Sequence, residues 1–504
     1  MSPALLWFRR DLRLADNPAL QALIEEGYTP IPVYIHHEAD DHWPLGEASA
    51  WWLHHSLVAL QQSLQQQGSD LLIYQGDPET LLPRLLQHSG ADRLAWNRCY
   101  EPATIRRETR IKQALEQQGY QLSSHPAALL REPWEHLKQD GTPYRVFTPF
   151  WKKLHSSGPS RDVIAASEAL PAFDPARFTD SLAIDALQLL PTVHWDQAFY
   201  DHWQPGEDGA WEALQEFLDH KLPDYPGRRD HPAVSVSSQL SAHLHFGEIS
   251  ALQAWKTLSN RAAATGARGT IAATEAWLRE LAWREFSHHL LYHFPNTPLE
   301  PLDSRFGEFP WKPHYQKDLQ RWQHGQTGIP LVDAGMRELW TTGYMHNRVR
   351  MIVASFLVKN LLIPWQEGAR WFWNTLVDAD LANNTMGWQW CAGCGADAAP
   401  YFRIFNPVLQ GERFDQQGVY IRRWIPELAR LENRYIHRPW AADPAALADA
   451  GIVLGREYPQ PLVDLQESRR QALSAWDQVK RLPRKEPAPP ASSGNKASVR
   501  MARG

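Results

Sequence analysis

Six short stretches of this chain gather side chains that can do chemistry. Trp7-Phe8-Arg9-Arg10-Asp11-Leu12-Arg13 sets a cationic turn directly behind an apolar run, with Asp16 or Asn17 placed to cap a following helix. Ser237, Ser238, Gln239, Leu240 and Ser241 offer three hydroxyls and successive backbone N–H groups at an expected helix start. The pattern reads as a phosphate cradle or as a hydroxyl-rich cap. On a helix, Trp277, Glu280 and Arg284 share one face, so an indole, a carboxylate and a guanidinium converge. Such charges are rarely buried together unless they are paired or bind something. Asn347 and Met351 repeat the i, i+4 spacing, and the run from Asp378 to Trp390 concentrates Asp378, Asp380, Asn383, Asn384, Trp388 and Trp390. Cys391 and Cys394 form a Cys-x-x-Cys, yet zinc needs two further ligands and Cys99 is the only other thiol. That pair reads as a small-residue helix turn, and no metal is expected.

Elements that can position these groups follow from periodicity. Residues 5–8, 29–35, 71–74 and 93–96 read as buried strands, separated by helical patterns at 17–26, 49–67, 78–88 and 104–118. This alternation predicts a doubly wound, Rossmann-like parallel sheet in an α/β domain over residues 1–130. No Gly-x-Gly-x-x-Gly follows the first strand, so any dinucleotide is expected elsewhere. From 121 to 201 the chain is rich in Pro, Ser and Asp with weak periodicity, which predicts an interdomain linker, set at 131–205. An all-α domain is expected over 206–480, with amphipathic stretches at 266–292, 331–341, 347–361 and 367–376. Residues 481–504 read as a disordered basic tail.

Composition bounds the class. A length of 504 residues exceeds one ordinary core, and 43% hydrophobic with 21% charged residues describes a globular chain. No apolar run approaches the ~18–20 residues of a membrane span, no export signal is evident, and three cysteines allow no disulfide framework. A cytoplasmic protein that does not engage membranes is expected. The net charge of -6 argues against a nucleic-acid partner until it is divided: residues 1–220 hold 17 Lys+Arg against 30 Asp+Glu, and residues 221–440 hold 24 against 20. The basic excess therefore lies in the expected helical domain. Tryptophan is the outlier, at 24 residues.

In order along the chain, Trp7-Phe8-Arg9-Arg10-Asp11-Leu12-Arg13, Leu244-His245-Phe246-Gly247-Glu248, Trp283-Arg284-Glu285-Phe286, Met345-His346-Asn347-Arg348, Asp378-Ala379-Asp380-Leu381 and Phe402-Arg403-Ile404-Phe405-Asn406-Pro407 resemble the photolyase/cryptochrome family, over about residues 3–475. The resemblance implies an antenna-binding α/β domain and a helical domain holding FAD. It implies flavin contacts from Tyr225, Ser237, Ser238, Gln239, Leu240 and Ser241, a pocket wall including Trp277, Arg284 and Arg350, and Asp378, Ala379 and Asp380 beside the ribityl and ring. Asn384 is expected to face flavin N5. Trp388, Trp365 and Trp311 match a chain that carries electrons inward from the surface.

The same resemblance implies light-driven repair of cyclobutane pyrimidine dimers in DNA. The lesion, flipped from the duplex, is expected between Trp283 and Trp390, with Met351 on its apolar side. Glu280 matches the carboxyl group that hydrogen-bonds the dimer carbonyls, Asn347 reads a polar edge, and Arg348, Arg403 and Gln410 meet phosphates. Three positions choose the subclass: Asn384 where plant cryptochromes carry Asp, Asn347 where (6-4) enzymes carry a second His, and Glu280. A blue-light photoreceptor and a (6-4) enzyme are the alternatives. The segment from Trp96 to Thr104 lacks the expected folate-antenna Asn-Glu pair, leaving the second chromophore open between methenyltetrahydrofolate, a deazaflavin and none. A monomer is expected.

Overall fold

The computed structural model describes residues 1–37, 43–167 and 169–484; from residue 485 the expected tail lies outside them. Five strands form one parallel sheet: β1 (Ser2–Phe8), β2 (Tyr28–His36), β3 (Leu72–Gln75), β4 (Arg93–Asn97) and β5 (Gln121–His125), in the order β3-β2-β1-β4-β5. Four of them match the expected strands. The fifth falls where the weakly patterned stretch begins. Gln-Leu-Ser-Ser-His is an edge strand with no fully buried residue, so it carries no apolar run to betray it. β1 is central, and Leu5 pairs with Ile31 on one side and Leu94 on the other. The crossovers are α1 (Pro18–Glu25), α2 (Glu47–Gln66), α3 (Pro78–Ser89) and α4 (Pro102–Gln117). Asn17, not Asp16, caps α1, its side chain accepting from Leu20 N at 3.1 Å with Pro18 in the first turn.

The described chain divides into two compact units, one of Met1–Pro223 with Ser238–Pro295, the other of Asp224–Ser237 with the chain from Asn296. This division differs from the boundaries expected at 130 and 205. The expected linker carries α5 (Phe147–Ser157) and groups with the sheet, as do α6 (Ser241–Phe246), α7 (Ala251–Thr265) and the long α8 (Arg268–His293). The second unit holds α9 (Pro330–Thr342), α10 (Asn347–Ser355), α11 (Trp365–Thr375), α12 (Leu381–Ala392) and α13 (Pro407–Phe414). The predicted helix at 347–361 is continued past α10 by a π turn, Phe356–Asn360.

Two of the sequence motifs are load points of the first unit. Arg13 is 1% exposed and donates to the carbonyls of Gly247 (2.9 Å), Asp16 (2.7 Å) and Ala127 (3.1 Å). Asp16 in turn pairs with Arg161 and accepts from Ser250 Oγ at 2.6 Å. Glu248 is fully buried and accepts from Trp52 Nε1, Ser56 Oγ, Gly206 N and His243 Nδ1. Gly247 between them has φ +69°, and a Cβ there would stand 2.2 Å from Arg10 O, so only glycine fits. At the carboxyl ends of β1 and β4, where open α/β sheets take ligands, Arg9 pairs with Glu108, Arg10 with Glu101, and Asn97 donates to Asp11 and Asn17 at 2.7 Å each.

Candidate functional site

Each unit carries its own share of the candidate residues. In the first unit four of them, Trp277, Glu280, Trp283 and Arg284, lie on α8. Trp277 is 5% exposed and donates from Nε1 to Ser238 Oγ at 3.1 Å, with its ring against Phe217. Arg284 donates to the Ala128 carbonyl at 2.9 Å and to the Leu244 carbonyl at 3.4 Å, and pairs with Glu285 at 3.4 Å. The guanidinium thus ties three stretches of backbone together. Burial lifts the Glu285 carboxyl to about 7. Glu280 is half-buried, and Trp283 is half-buried with Phe147 lying flat on it, ring centroids 3.6 Å apart at 7°.

The serine run differs from a helix cap. α6 begins only at Ser241, and its cap residue, Leu240, makes no side-chain bond. Gln239 lies in the left-handed region at φ +56°. Ser238 is held by the Trp277 indole, while Ser237, in the second unit, hydrogen-bonds Tyr344. Tyr225 is buried there, with the Arg229 guanidinium 5.3 Å from its ring centre.

The second unit holds the denser cluster. Arg350 donates from Nη2 to Asp378 Oδ2 at 2.9 Å and from Nε to the Met345 carbonyl at 2.7 Å. Asp378 is 9% exposed, yet its buried Oδ1 has no hydrogen-bond partner. Ala379 is buried, and Asp380 caps α12 by accepting from Asn383 N at 2.8 Å. One turn on, Asn384 donates from Nδ2 to the Ala369 carbonyl at 3.0 Å, which leaves its carbonyl oxygen and its second amide N–H to offer. Trp388 is 2% exposed with an unpartnered Nε1, and its ring packs edge-on to Phe372 at 5.0 Å and to Trp322 at 6.2 Å. Trp365 is buried at the start of α11, and Trp311 is half-buried against Phe309 at 4.3 Å. Among the described residues no direct ring contact joins Trp388, Trp365 and Trp311.

His346 caps α10, its Nδ1 accepting from Arg348 N at 3.2 Å, and burial lowers its imidazole to about 4. Asn347 follows it in the open, while Met351 and Trp390 are half-buried. Arg348 is already engaged: it pairs with Asp230 at 2.8 Å and lies 4.8 Å from the centre of Phe414. Arg403 is exposed and Gln410 half-buried on α13, whose cap is Asn406. Lys359 went unremarked in the sequence because its partner is a backbone atom. It is 1% exposed, donates to the Arg403 carbonyl at 2.9 Å, and burial lowers its ammonium to about 8. Cys391 and Cys394 are buried, which pushes the Cys391 thiol up to about 12 and Cys394 higher still, so both stay protonated near neutrality. Between them the chain turns at Gly393, φ +84°, and Gln389 pins the facing loop by donating to Thr297 O and Glu300 O and accepting from Leu302 N. No group of three or more potential metal ligands occurs among the described residues.

A parallel-sheet unit joined to helices rich in buried indole, amide and carboxylate groups defines the class: the chain belongs to the DNA photolyase family. The family model described as DNA photolyase matches residues 4–173, and the FAD binding domain of DNA photolyase matches residues 277–478. Within that family, a deoxyribodipyrimidine photo-lyase of Agrobacterium fabrum (strain C58 / ATCC 33970) is 46% identical, over 95% of this chain and 98% of its own. Cryptochrome-2 of Arabidopsis thaliana is 38% identical, over 92% of this chain and 77% of its own. The crystal structure of a bacterial class III photolyase from Agrobacterium tumefaciens superposes with a TM-score of 0.91 at 45% identity, covering 96% of this chain and 98% of that one.

Proposed function

We propose that this chain is a light-driven repair enzyme for cyclobutane pyrimidine dimers in DNA, with FAD as its working cofactor. One observation carries the choice of repair over signalling: Asn384 is anchored by one amide N–H on the Ala369 carbonyl and keeps its carbonyl oxygen as an acceptor. An acceptor suits the N5–H of reduced flavin, the electron-donating form, where a carboxylic acid would offer a proton. The residues present also fit the cofactor. Buried Asp378 Oδ1 lacks a partner while Oδ2 holds Arg350, and buried Trp388 Nε1 is likewise open; such atoms are costly unless a ligand meets them. Bound FAD, reduced and excited by light, supplies the electron that splits the cyclobutane ring and takes it back.

The chain's own share is binding, orientation and exclusion of water. Tyr225, Ser237 to Ser241, Trp277, Arg284, Arg350 and Asp378 to Asp380 are assigned to hold the cofactor. Trp283 and Trp390 stack the extruded bases, Met351 covers an apolar side, and Glu280 and Asn347 hydrogen-bond the base edges. Arg403 and Gln410 meet phosphates, and Arg348 joins them by exchanging its Asp230 partner for one. Trp388, Trp365 and Trp311 would relay electrons, one at a time, from an external reductant at the surface to the oxidised cofactor; with no ring contact between them among the described residues, the relay would run by separate hops. The reading extends to a monomer working in the cytoplasm; among the described residues no helix is long and apolar enough to cross a membrane.

The test is illumination of reduced, FAD-loaded protein with an oligonucleotide carrying one thymine dimer. Restored thymines are the expected result. Repair of a (6-4) lesion instead overturns the subclass, and no repair of either overturns the function.

A further inference from the structure

The contact between Phe147 and Trp283 is unusually close and flat, with ring centroids 3.6 Å apart at 7°. Aromatic pairs left to themselves prefer offset or edge-to-face arrangements, because facing quadrupoles repel. Here the neighbours impose the sandwich. Phe147 is 1% exposed at the first position of α5, and Phe286 meets both rings edge-on at 5.9 Å. Arg279, one turn before Trp283 on α8, sets its guanidinium 5.2 Å from the Phe147 ring centre, drawing on the electron density that makes the stacked faces repel.

We propose that Phe147 is a positioning residue for lesion binding: it occupies one face of Trp283, fixes the plane of the indole, and leaves a single face on which an extruded base stacks. The inference rests on the reading of Trp283 as the lesion platform. A half-buried indole without such a backing would sample several rotamers, and a base stacking on it would bear the cost of ordering it. With Phe147 in place the platform is set before DNA arrives. Arg279 acts through Phe147 rather than on the lesion.

The experiment compares the FAD-loaded full chain with Phe147→Leu, Phe147→Tyr, Arg279→Gln and Trp283→Ala. It measures affinity for a dimer-containing and for an undamaged oligonucleotide at one salt concentration, together with KM and kcat for repair. Phe147→Leu is expected to weaken dimer binding about 5- to 30-fold, within the range set by base–aromatic stacking. Undamaged DNA should bind as before, and the loss should fall on KM rather than kcat. Phe147→Tyr, which keeps the flat ring, should restore dimer binding to within about two-fold, and Arg279→Gln should weaken it about two- to five-fold. Wild-type dimer affinity in Phe147→Leu, or equal loss on damaged and undamaged DNA, overturns the proposal. Should Phe147→Leu fail to retain FAD, the exposed Arg279→Gln decides, and unchanged dimer affinity there overturns it. If Trp283→Ala binds the dimer as tightly as wild type while wild type repairs it, the platform reading fails and takes this inference with it, leaving the enzyme's function standing.

Discussion

At the scale of single residues, the chemistry was legible wherever the side-chain type is itself the chemistry. The roles proposed for Glu280, Asn384 and the indoles of Trp311, Trp365 and Trp388 come from the resemblance, since spacing by itself reads those indoles as core packing. Glu280→Ala is expected to slow repair at least ten-fold and leave the flavin absorbance of the purified protein unchanged; loss of FAD in that variant would place Glu280 in the cofactor site instead. Trp311→Phe, at a half-buried position that tolerates a smaller ring, should block photoreduction of oxidised flavin, followed by absorbance under blue light, while repair by chemically reduced protein continues at the wild-type rate. What the sequence concealed at this scale were partners. Nothing in the sequence shows Asp230 beside Arg348, or the carbonyls of Ala128 and Leu244 on the Arg284 guanidinium.

Secondary elements were legible in proportion to their burial. The central strands and amphipathic helices announce themselves by period, whereas β5 has no buried face to show and α5 lies in a stretch dominated by Pro and Ser. Close packing between helices is invisible in sequence except through glycine. A Cβ on Gly368 of α11 would stand 2.0 Å from the Trp388 ring on α12, so Gly368→Ala should displace the indole. A cost of about 1–3 kcal/mol is expected for such overpacking, read as a lowered urea midpoint, with slowed flavin photoreduction as the site-specific sign. Lys359 plays a comparable part for the segment that bears Arg403. Lys359→Met, which keeps the length and removes the donor to the Arg403 carbonyl, should weaken binding of both damaged and undamaged DNA several-fold and leave FAD content unchanged.

Across the whole molecule, charge and protonation set the working conditions. Residues 221–440 carry the basic excess while the first 220 are strongly acidic, so DNA affinity should fall steeply with salt. A log–log slope near -2 to -3 is expected if Arg348, Arg403 and one further cation meet phosphates at about 0.9 per contact. A flat salt dependence would contradict those assignments. Acid stability follows from buried histidines. Burial holds His136 down to about 4, and His289 is also driven well below the 6.5 of a free imidazole. The unfolded chain takes up protons below 6.5 that the native state refuses until about 4, so these groups lower stability progressively as pH falls through that window. Glu285, raised to about 7 from 4.5, works the other way, its contribution fading as pH rises from 4.5 to 7. Comparing His136→Phe with wild type isolates the first effect: the slope of unfolding free energy between pH 6.5 and 4 should be shallower in the variant by up to ~1.4 kcal/mol per pH unit.

The buried guanidinium of Arg13 also dictates an order of events during synthesis. Two of its three carbonyl partners lie far downstream, at Ala127 and Gly247, and Leu12 N waits for the Phe246 carbonyl at 3.1 Å. The nascent sheet can assemble its strands once residue 125 has left the ribosome, yet Arg13 lacks its Gly247 acceptor, and Leu12 N its Phe246 acceptor, until residue 247 arrives. A fragment ending near residue 130 should therefore be insoluble or molten, whereas one ending near residue 295 should fold. The sheet can be traced as a domain, but it matures only with the helices that follow it.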